Sequence, residues 1–375
     1  MKKDEFFQYL KPWSERKHRL LGKYLKPFSA KVASITQNRE IFCIDCFAGA
    51  AKYEDGKEGS PLLLAKLSDE CSQWQTPVVF KIVNVEPDTK NFLSLENLTQ
   101  NWIQKGIVVN VNKRFGEAVP EILSKIGHAP ALFFIDPFVP TAVHFYHLLP
   151  ILKRSQSATE LIINFDTDGL QRIADAAQSK SDNPKTVKSI PTNIQNVSDI
   201  IGREDWLEKY QSGNFSTQEK QEFLLSLYIE NLAKFGYAVV TYQIRESLGK
   251  PTKYHLIYCT RHNDGVFLMN DFIFEEENSM LEDYFSDSLP LYSATFGDET
   301  GNRRKELYSL VKNFLENNSK TNRGHIKHNL IFKHFAQFHN KDYNAVVKEF
   351  IDLGKLRASH GKKRINDTEP LTYLG

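Results

Sequence analysis

Five short apolar runs, each followed by a stretch with helical patterning, dominate the first half of this 375-residue chain. They are Ile41–Asp45, Val78–Val85, Ile107–Val111, Ala131–Ile135 and Leu161–Ile163. Strands that alternate with helices pair in parallel, because a helical crossover returns the chain to the same end of the sheet. The predicted fold class is therefore α/β. Every run but the third closes on an acid or an amide: Asp45, Glu86, Asp136 and Asn164. In a parallel sheet these ends share one edge, so polar groups are expected to gather there.

The first run leads straight into Phe47, Ala48, Gly49, Ala50 and Ala51. Small side chains at such a turn let a ligand approach the backbone, and a helix N-terminus beyond favours polar or anionic groups. This edge is where doubly wound folds hold nucleosides. Ser60 as N-cap with Pro61 at the first helical position predicts a helix over Leu62–Leu67. The loop before it is longer than a GxGxxG fingerprint permits, which disfavours a nicotinamide dinucleotide. Glu86 has two readings: it binds a ribose hydroxyl pair, or it caps the helix that Asp88 begins. Further helices are expected at Glu117–Lys125, Val143–Leu152 and Gln218–Phe235. The Pro-, Asn- and Ser-rich stretch 179–217 reads as an insertion that could lie over the site. Two last strands, Tyr237–Ile244 and Tyr254–Cys259, read as an antiparallel hairpin closing the sheet.

The flanks differ in character. Before the first strand an amphipathic pattern with Trp13, Leu20, Leu21, Tyr24, Leu25 and Phe28 predicts a helical lid or flank over residues 1–38. Residues 39–270 form the expected α/β domain, and the acidic, aromatic stretch 271–302 reads as a linker. From 303 to 375 three helical patterns precede a basic hairpin, Lys355–Ile365, which together read as a winged helix-turn-helix. The chain carries a formal charge of +2, which hides an asymmetry: residues 301–375 hold 15 Lys and Arg against 7 Asp and Glu, net +8, and the remainder holds 33 against 39, net −6. A basic accessory domain of this kind suits an anionic partner or a solvated surface. Docked on nucleic acid, the hairpin residues Arg357, His360, Lys362, Lys363 and Arg364 would lie along phosphates; winged helices also dock proteins.

Other signals carry less. Cys43 and Cys46 are spaced as CxxC, but positions three apart on a strand face opposite ways and no second pair completes a zinc site. The tail histidines 325, 328, 334 and 339 lack cysteine company and sit among lysines. Asp166 and Asp168 fit ordinary turn chemistry. No metal is expected. No nucleophile elbow, P-loop or nuclease pattern is present. No 18-residue apolar run occurs, and a cytoplasmic, non-membrane protein is expected.

Asp45-Cys46-Phe47-Ala48-Gly49, Glu86, Asp136-Pro137-Phe138 and the closing hairpin, in that order, resemble the S-adenosylmethionine-dependent methyltransferases, whose sheets end in such a hairpin. More narrowly the chain resembles the three-Cys-motif partner (TcmP) proteins. That likeness is carried by Trp13, Lys17, Leu20, Leu21 and Tyr24, then Ile44 to Gly49, Gly59-Ser60-Pro61, Ile135 to Phe138, Ile163-Asn164-Phe165 with Arg172, and Gly202 with Trp206. The resemblance implies a seven-stranded Rossmann-like sheet and S-adenosylmethionine as cofactor. Asp45, Phe47, Ala48 and Gly49 would face its amino-acid moiety, Glu86 its ribose, and Arg114 and Phe115 its adenine. Asp136, Pro137 and Phe138 would form the floor where the methyl group is transferred. Nucleic-acid amino-methyltransferases resemble one another in an acid or Asn followed by Pro-Pro and an aromatic; here Phe138 replaces the second proline and Val139 the aromatic. Phe138 as a stacking platform for a flipped base, or as a packed ring at a strand end, are both compatible with the sequence. The implied activities are methylation of nucleic acid, or binding of a nucleotide or nucleic acid together with a partner protein in prokaryotic genome conflict.

Overall fold

The computed structural model describes residues 11–36, 38–179, 183–245, 250, 252–286, 292–359 and 365–375. The chain divides into two units, one running to residue 261 and the other from residue 262 to the end.

The first unit begins with α1 (Pro12–Ala33), which has proline in its first turn and buries Leu20, Leu21, Tyr24, Leu25 and Phe28 along one face. Strands β1 (Glu40–Asp45), β2 (Val79–Val85), β3 (Val108–Val111), β4 (Ala131–Ile135) and β5 (Thr159–Phe165) follow, alternating with α2 (Ser60–Ser72), α3 (Thr89–Gln104), α4 (Phe115–Ile126) and α5 (Phe145–Leu152). After β5 come α6 (Thr167–Ala177), α7 (Pro184–Ile201), α8 (Trp206–Ser212) and α9 (Thr217–Ala233), and then β6 (Ala238–Arg245) and β7 (Thr252–Thr260). The seven strands lie in the order β3-β2-β1-β4-β5-β7-β6. The first five are parallel, and β7 runs antiparallel between β5 and β6, pairing Phe165 with His255 and Val239 with Cys259. A hairpin inserted with its second strand against β5 defines the Rossmann-like methyltransferase fold. β1, β4 and β5 are buried almost throughout, which is why they read as unbroken apolar runs and not as alternating ones.

Two local expectations change. Ser60 is the first helical residue of α2 and not its N-cap; Gly59 takes the cap position. A Cβ on Gly59 would sit 3.2 Å from the Ala51 carbonyl oxygen, which leaves little room for a larger cap residue. The stretch 179–217 is not an irregular insertion over the site. Its described part forms α7 and α8, and Val197, Ile200, Ile201, Trp206 and Tyr210 are buried in the main core beneath the sheet. Pro184 starts α7 and Asn183 caps it, so the residues that look like loop punctuation are its start signal.

The second unit starts with α10 (Asn263–Ser286), where a linker is expected from composition. Val266, Met269, Asn270, Ile273, Glu276 and Met280 recur at helical spacing on its buried face. Asn270 Nδ2 donates to the Phe338 carbonyl at 2.8 Å, and Asp271 Oδ1 accepts from the Asn340 N–H at 2.6 Å. Then follow α11 (Tyr292–Asn317), β8 (Lys320–Asn322), α12 (Arg323–Lys333), α13 (Asn340–Asp352), β9 (Leu356–Ala358) and β10 (Pro370–Tyr373). The strands form an antiparallel sheet in the order β8-β10-β9. Leu307, Val311, Ile326, Val347, Phe350 and Leu371 pack its core, and Asp367 ties the segment before β10 to Arg323 and, at 2.7 Å, to Lys327.

Candidate ligand site at the switch point of the sheet

The strand order reverses between β1 and β4, so their crossovers leave on opposite faces and a crevice opens at the carboxyl edge. A cavity of about 400 Å³ occupies that place, inside the range of small-molecule sites. Its walls come from the β1 turn (Phe47 to Tyr53), the tip of β2 (Glu86 and Pro87), the tip of β4 (Asp136 to Val139), Tyr254 of β7, and Ser14, Lys17 and His18 of α1.

The β1 turn is shaped by two positive backbone angles, φ +63° at Gly49 and +66° at Ala51. Gly49 is the residue type that conformation favours, and Ala51 adopts it at a steric cost of about 1–2 kcal/mol. Glu86 holds the turn: its Oε2 accepts from the Gly49 N–H at 2.9 Å and its Oε1 from the Asp88 N–H at 2.8 Å. Helix capping is done by Asp88, whose Oδ1 accepts from the Lys90 and Asn91 N–H groups. A carboxylate oxygen accepts more than one hydrogen bond, so backbone anchoring of Glu86 leaves it able to receive a hydroxyl pair.

At the β4 tip, Lys17 Nζ lies 2.7 Å from both Asp136 oxygens, and Asn164 Nδ2 donates to Asp136 Oδ1 at 2.7 Å. The lysine side chain is only 3% exposed against 20% for the aspartate. The Tyr254 ring centroid stands 5.0 Å from the same ammonium. Burial, followed by the Lys17 charge, lowers the His18 pKa to about 4, so its imidazole is neutral at pH 7. Burial and then Asp136 push the Tyr53 and Tyr254 phenols up, and both remain protonated donors.

Of the residues expected at the site, Phe47, Ala48, Gly49, Glu86, Asp136, Pro137 and Phe138 come together on the cavity wall. Asp45 does not line it. Its carboxyl is fully buried below the turn, with Oδ1 accepting from the Phe47 N–H at 3.2 Å and Oδ2 without a hydrogen-bond partner among the described residues. Burial raises its pKa to about 7, against the opposing Ser60 hydroxyl and Phe47 amide. Phe115 is also removed from the cavity, 2% exposed in the core, its ring centroid 5.7 Å from that of Phe47, and Arg114 is exposed at the start of α4 outside the lining. In the second unit Arg357 is exposed on β9; His360, Lys362, Lys363 and Arg364 lie outside the described residues.

Lys17, His18, Tyr53 and Tyr254 have no site role in the sequence reading. For Lys17 a signal existed: positions 17, 20, 21, 24 and 28 share one helix face, and a lysine among leucines on that face is an anomaly.

No family model matches the chain, and no curated protein matches it. Solved structures with a similar fold include a protein described as an rRNA methylase from Clostridium thermocellum, at 8% identity and TM-score 0.33, covering 63% of this chain and 96% of that one. A cofactor-bound Rv0187 from MTB covers 65% of this chain and 80% of its own at 13% identity and TM-score 0.31, and a protein described as an O-methyltransferase from Klebsiella pneumoniae covers 66% and 87% at 14% and 0.29. At these scores none bears on the chemistry of this chain; the fold rests on its own strand order. Among the described residues no helix is long and apolar enough to cross a membrane, and no cluster of three or more metal-ligating side chains occurs.

Proposed function

We propose that this chain is an S-adenosylmethionine-dependent methyltransferase acting on nucleic acid, with the second unit a winged helix that holds the substrate. The observation that carries the reading is the cavity at the β1/β4 switch point, with Glu86 fixed to the backbone of a small-residue turn. Glu86 would take the ribose hydroxyls through two charge-assisted hydrogen bonds. The Phe47 to Ala51 turn would lie against the ligand backbone-first, and Phe138, 39% exposed, offers a ring face to a planar acceptor. Bound there, the cofactor supplies an electrophilic methyl group on a sulfonium centre. The protein's part is to exclude water and hold the acceptor in line, so positioning supplies much of the rate.

Support for the winged-helix reading is the succession of helix, strand, two helices and two strands with sheet order β8-β10-β9. The net +8 charge of residues 301–375 favours a polyanion at that end of the unit.

Calorimetric titration with S-adenosylmethionine and S-adenosylhomocysteine tests the first half. Micromolar-range binding is expected, weakened about tenfold or more in Glu86→Gln. Radiolabelled methyl transfer to RNA and DNA, with the modified nucleoside read by mass spectrometry, tests the second. Absence of cofactor binding to folded protein would sink the proposal. A second reading, a binding protein that retains the fold without transfer, is favoured by one observation: Lys17 and Asn164 already engage Asp136, the group expected to hold the acceptor. Cofactor binding without transfer to either polymer is its signature.

A further inference from the structure

We propose that Lys17 and Asp136 form a subsite for an amino-acid zwitterion, the lysine ammonium receiving the ligand's α-carboxylate and the aspartate receiving its α-ammonium. The inference rests on the S-adenosylmethionine reading of the same cavity and assigns its amino-acid end to a helix that precedes the sheet.

Four observations support it. Both residues line the cavity, and the aspartate side chain is the more exposed of the pair. The ammonium is held in a fixed place: Asp136 takes two of its three N–H groups, the Tyr254 ring packs 5.0 Å away, and the third N–H makes no hydrogen bond among the described residues. Asp136 Oδ1 accepts from Lys17 and Asn164, whereas among the described residues Oδ2 accepts from Lys17 alone and retains accepting capacity on the more exposed partner. Finally, a buried ion pair is a costly way to join a helix to a strand tip, and apolar packing would serve as well or better. A pair of opposite charges 2.7 Å apart on a cavity wall instead matches a ligand whose own opposite charges sit on one carbon.

Two roles change as a result. Asp45, buried beneath the turn, supports the Phe47 amide and does not touch the amino-acid moiety. Asp136 becomes a ligand-binding residue and leaves the acceptor to Phe138 and its neighbours. No covalent step is involved; the claim concerns recognition.

The test uses the full chain and two commercially available probes that differ only at this end. S-adenosylhomocysteine carries the zwitterion, and 5′-methylthioadenosine keeps the adenosine and thioether without it. Calorimetry on the wild type is expected to show tighter binding of S-adenosylhomocysteine. Lys17→Met is expected to weaken that ligand about tenfold or more while changing methylthioadenosine by less than about twofold. Lys17→Arg, which keeps the charge, should restore most of the difference. Lys17→Met combined with Asp136→Asn removes the aspartate charge that the single variant strands, and should show the same selective loss in a protein that still folds, checked by near-ultraviolet circular dichroism. Equal weakening of both probes would mean a structural role only and overturn the proposal. So would an unchanged affinity for S-adenosylhomocysteine, or wild-type protein that binds both probes equally. Wild type that binds neither overturns the methyltransferase reading together with this one, so the two failures are told apart.

Discussion

Asp45 carries a charge problem that its neighbours solve only in part. A carboxyl whose folded-state pKa stands at about 7, against 3.8 when free, binds its proton more tightly folded than unfolded. Between those values the native state holds a proton that the unfolded state has released, so this group's contribution to stability falls as pH rises from about 4 to about 7 and is flat above. Asp45→Asn abolishes the titration. Urea unfolding compared across this range should therefore move in the variant's favour by on the order of 2–4 kcal/mol between pH 4 and 8. Parallel curves for the two proteins would contradict the assignment. At this scale the sequence was informative about position and less so about direction. Asp45 is legible as a strand-end acid, but alternation cannot tell whether a residue at the very tip points into the crevice or below the turn, and here the turn of positive φ at Gly49 and Ala51 covers it. Glu86 is legible because the acid and the cap were separate residues, Asp88 sufficing for the helix.

The elements whose role the sequence underrates are α1 and α7. α1 reads as a flank because its pattern is amphipathic, yet it is fixed to the sheet by a buried polar network. Tyr24 Oη donates to Glu160 Oε2 at 2.5 Å and meets Tyr258 Oη at the same distance, and Thr260 Oγ1 donates to Glu160 Oε1 at 2.8 Å. Burial raises the Glu160 pKa, against the stabilising hydroxyls of Tyr24, Thr260 and Tyr258. Removing one hydroxyl leaves the others short of a partner, so Tyr24→Phe should destabilise the protein by about 1–3 kcal/mol in chemical denaturation. A change within error would show that Tyr258 and Thr260 satisfy Glu160 alone. α7 was hidden for a different reason. Its Pro, Asn and Ser residues suggest loop, while the apolar positions Val197, Ile200 and Ile201 that pin it to the core are compressed into its last turns. The hairpin β6–β7, by contrast, was legible from two adjacent apolar runs with a short polar connection, and the strand order confirms it.

For the whole molecule, charge separates what folding chemistry does not. The basic excess of residues 301–375, which follows a stretch, 262–300, with ten acids and no Lys or Arg, predicts that a polyanion is held by the end of the second unit and not by the unit that carries the cavity. Replacing Arg357, Lys362 and Lys363 by Ala should weaken duplex DNA binding by full-length protein and reduce the magnitude of its salt slope by about one for each phosphate no longer neutralised. S-adenosylhomocysteine affinity, measured by calorimetry on the same variant, should not change. Loss of both together would show that the basic tail supports the fold and is not an independent binding surface.

The hydrogen bonds of α1 also set an order of events during synthesis. Arg16, Lys17 and Tyr24 leave the ribosome well before their partners, the Arg245 carbonyl, Asp136 and Tyr258, which follow them by 229, 119 and 234 residues. Pairings so distant along the chain are slow to form. A nascent chain released only as far as residue 250 holds all five parallel strands but none of β7, and α1 then has no Tyr258 to dock on. The cavity is thus completed only when a segment made before the sheet docks on it, and a translation pause before Thr260 would prolong the interval in which the leucine face of α1 is open to chaperones.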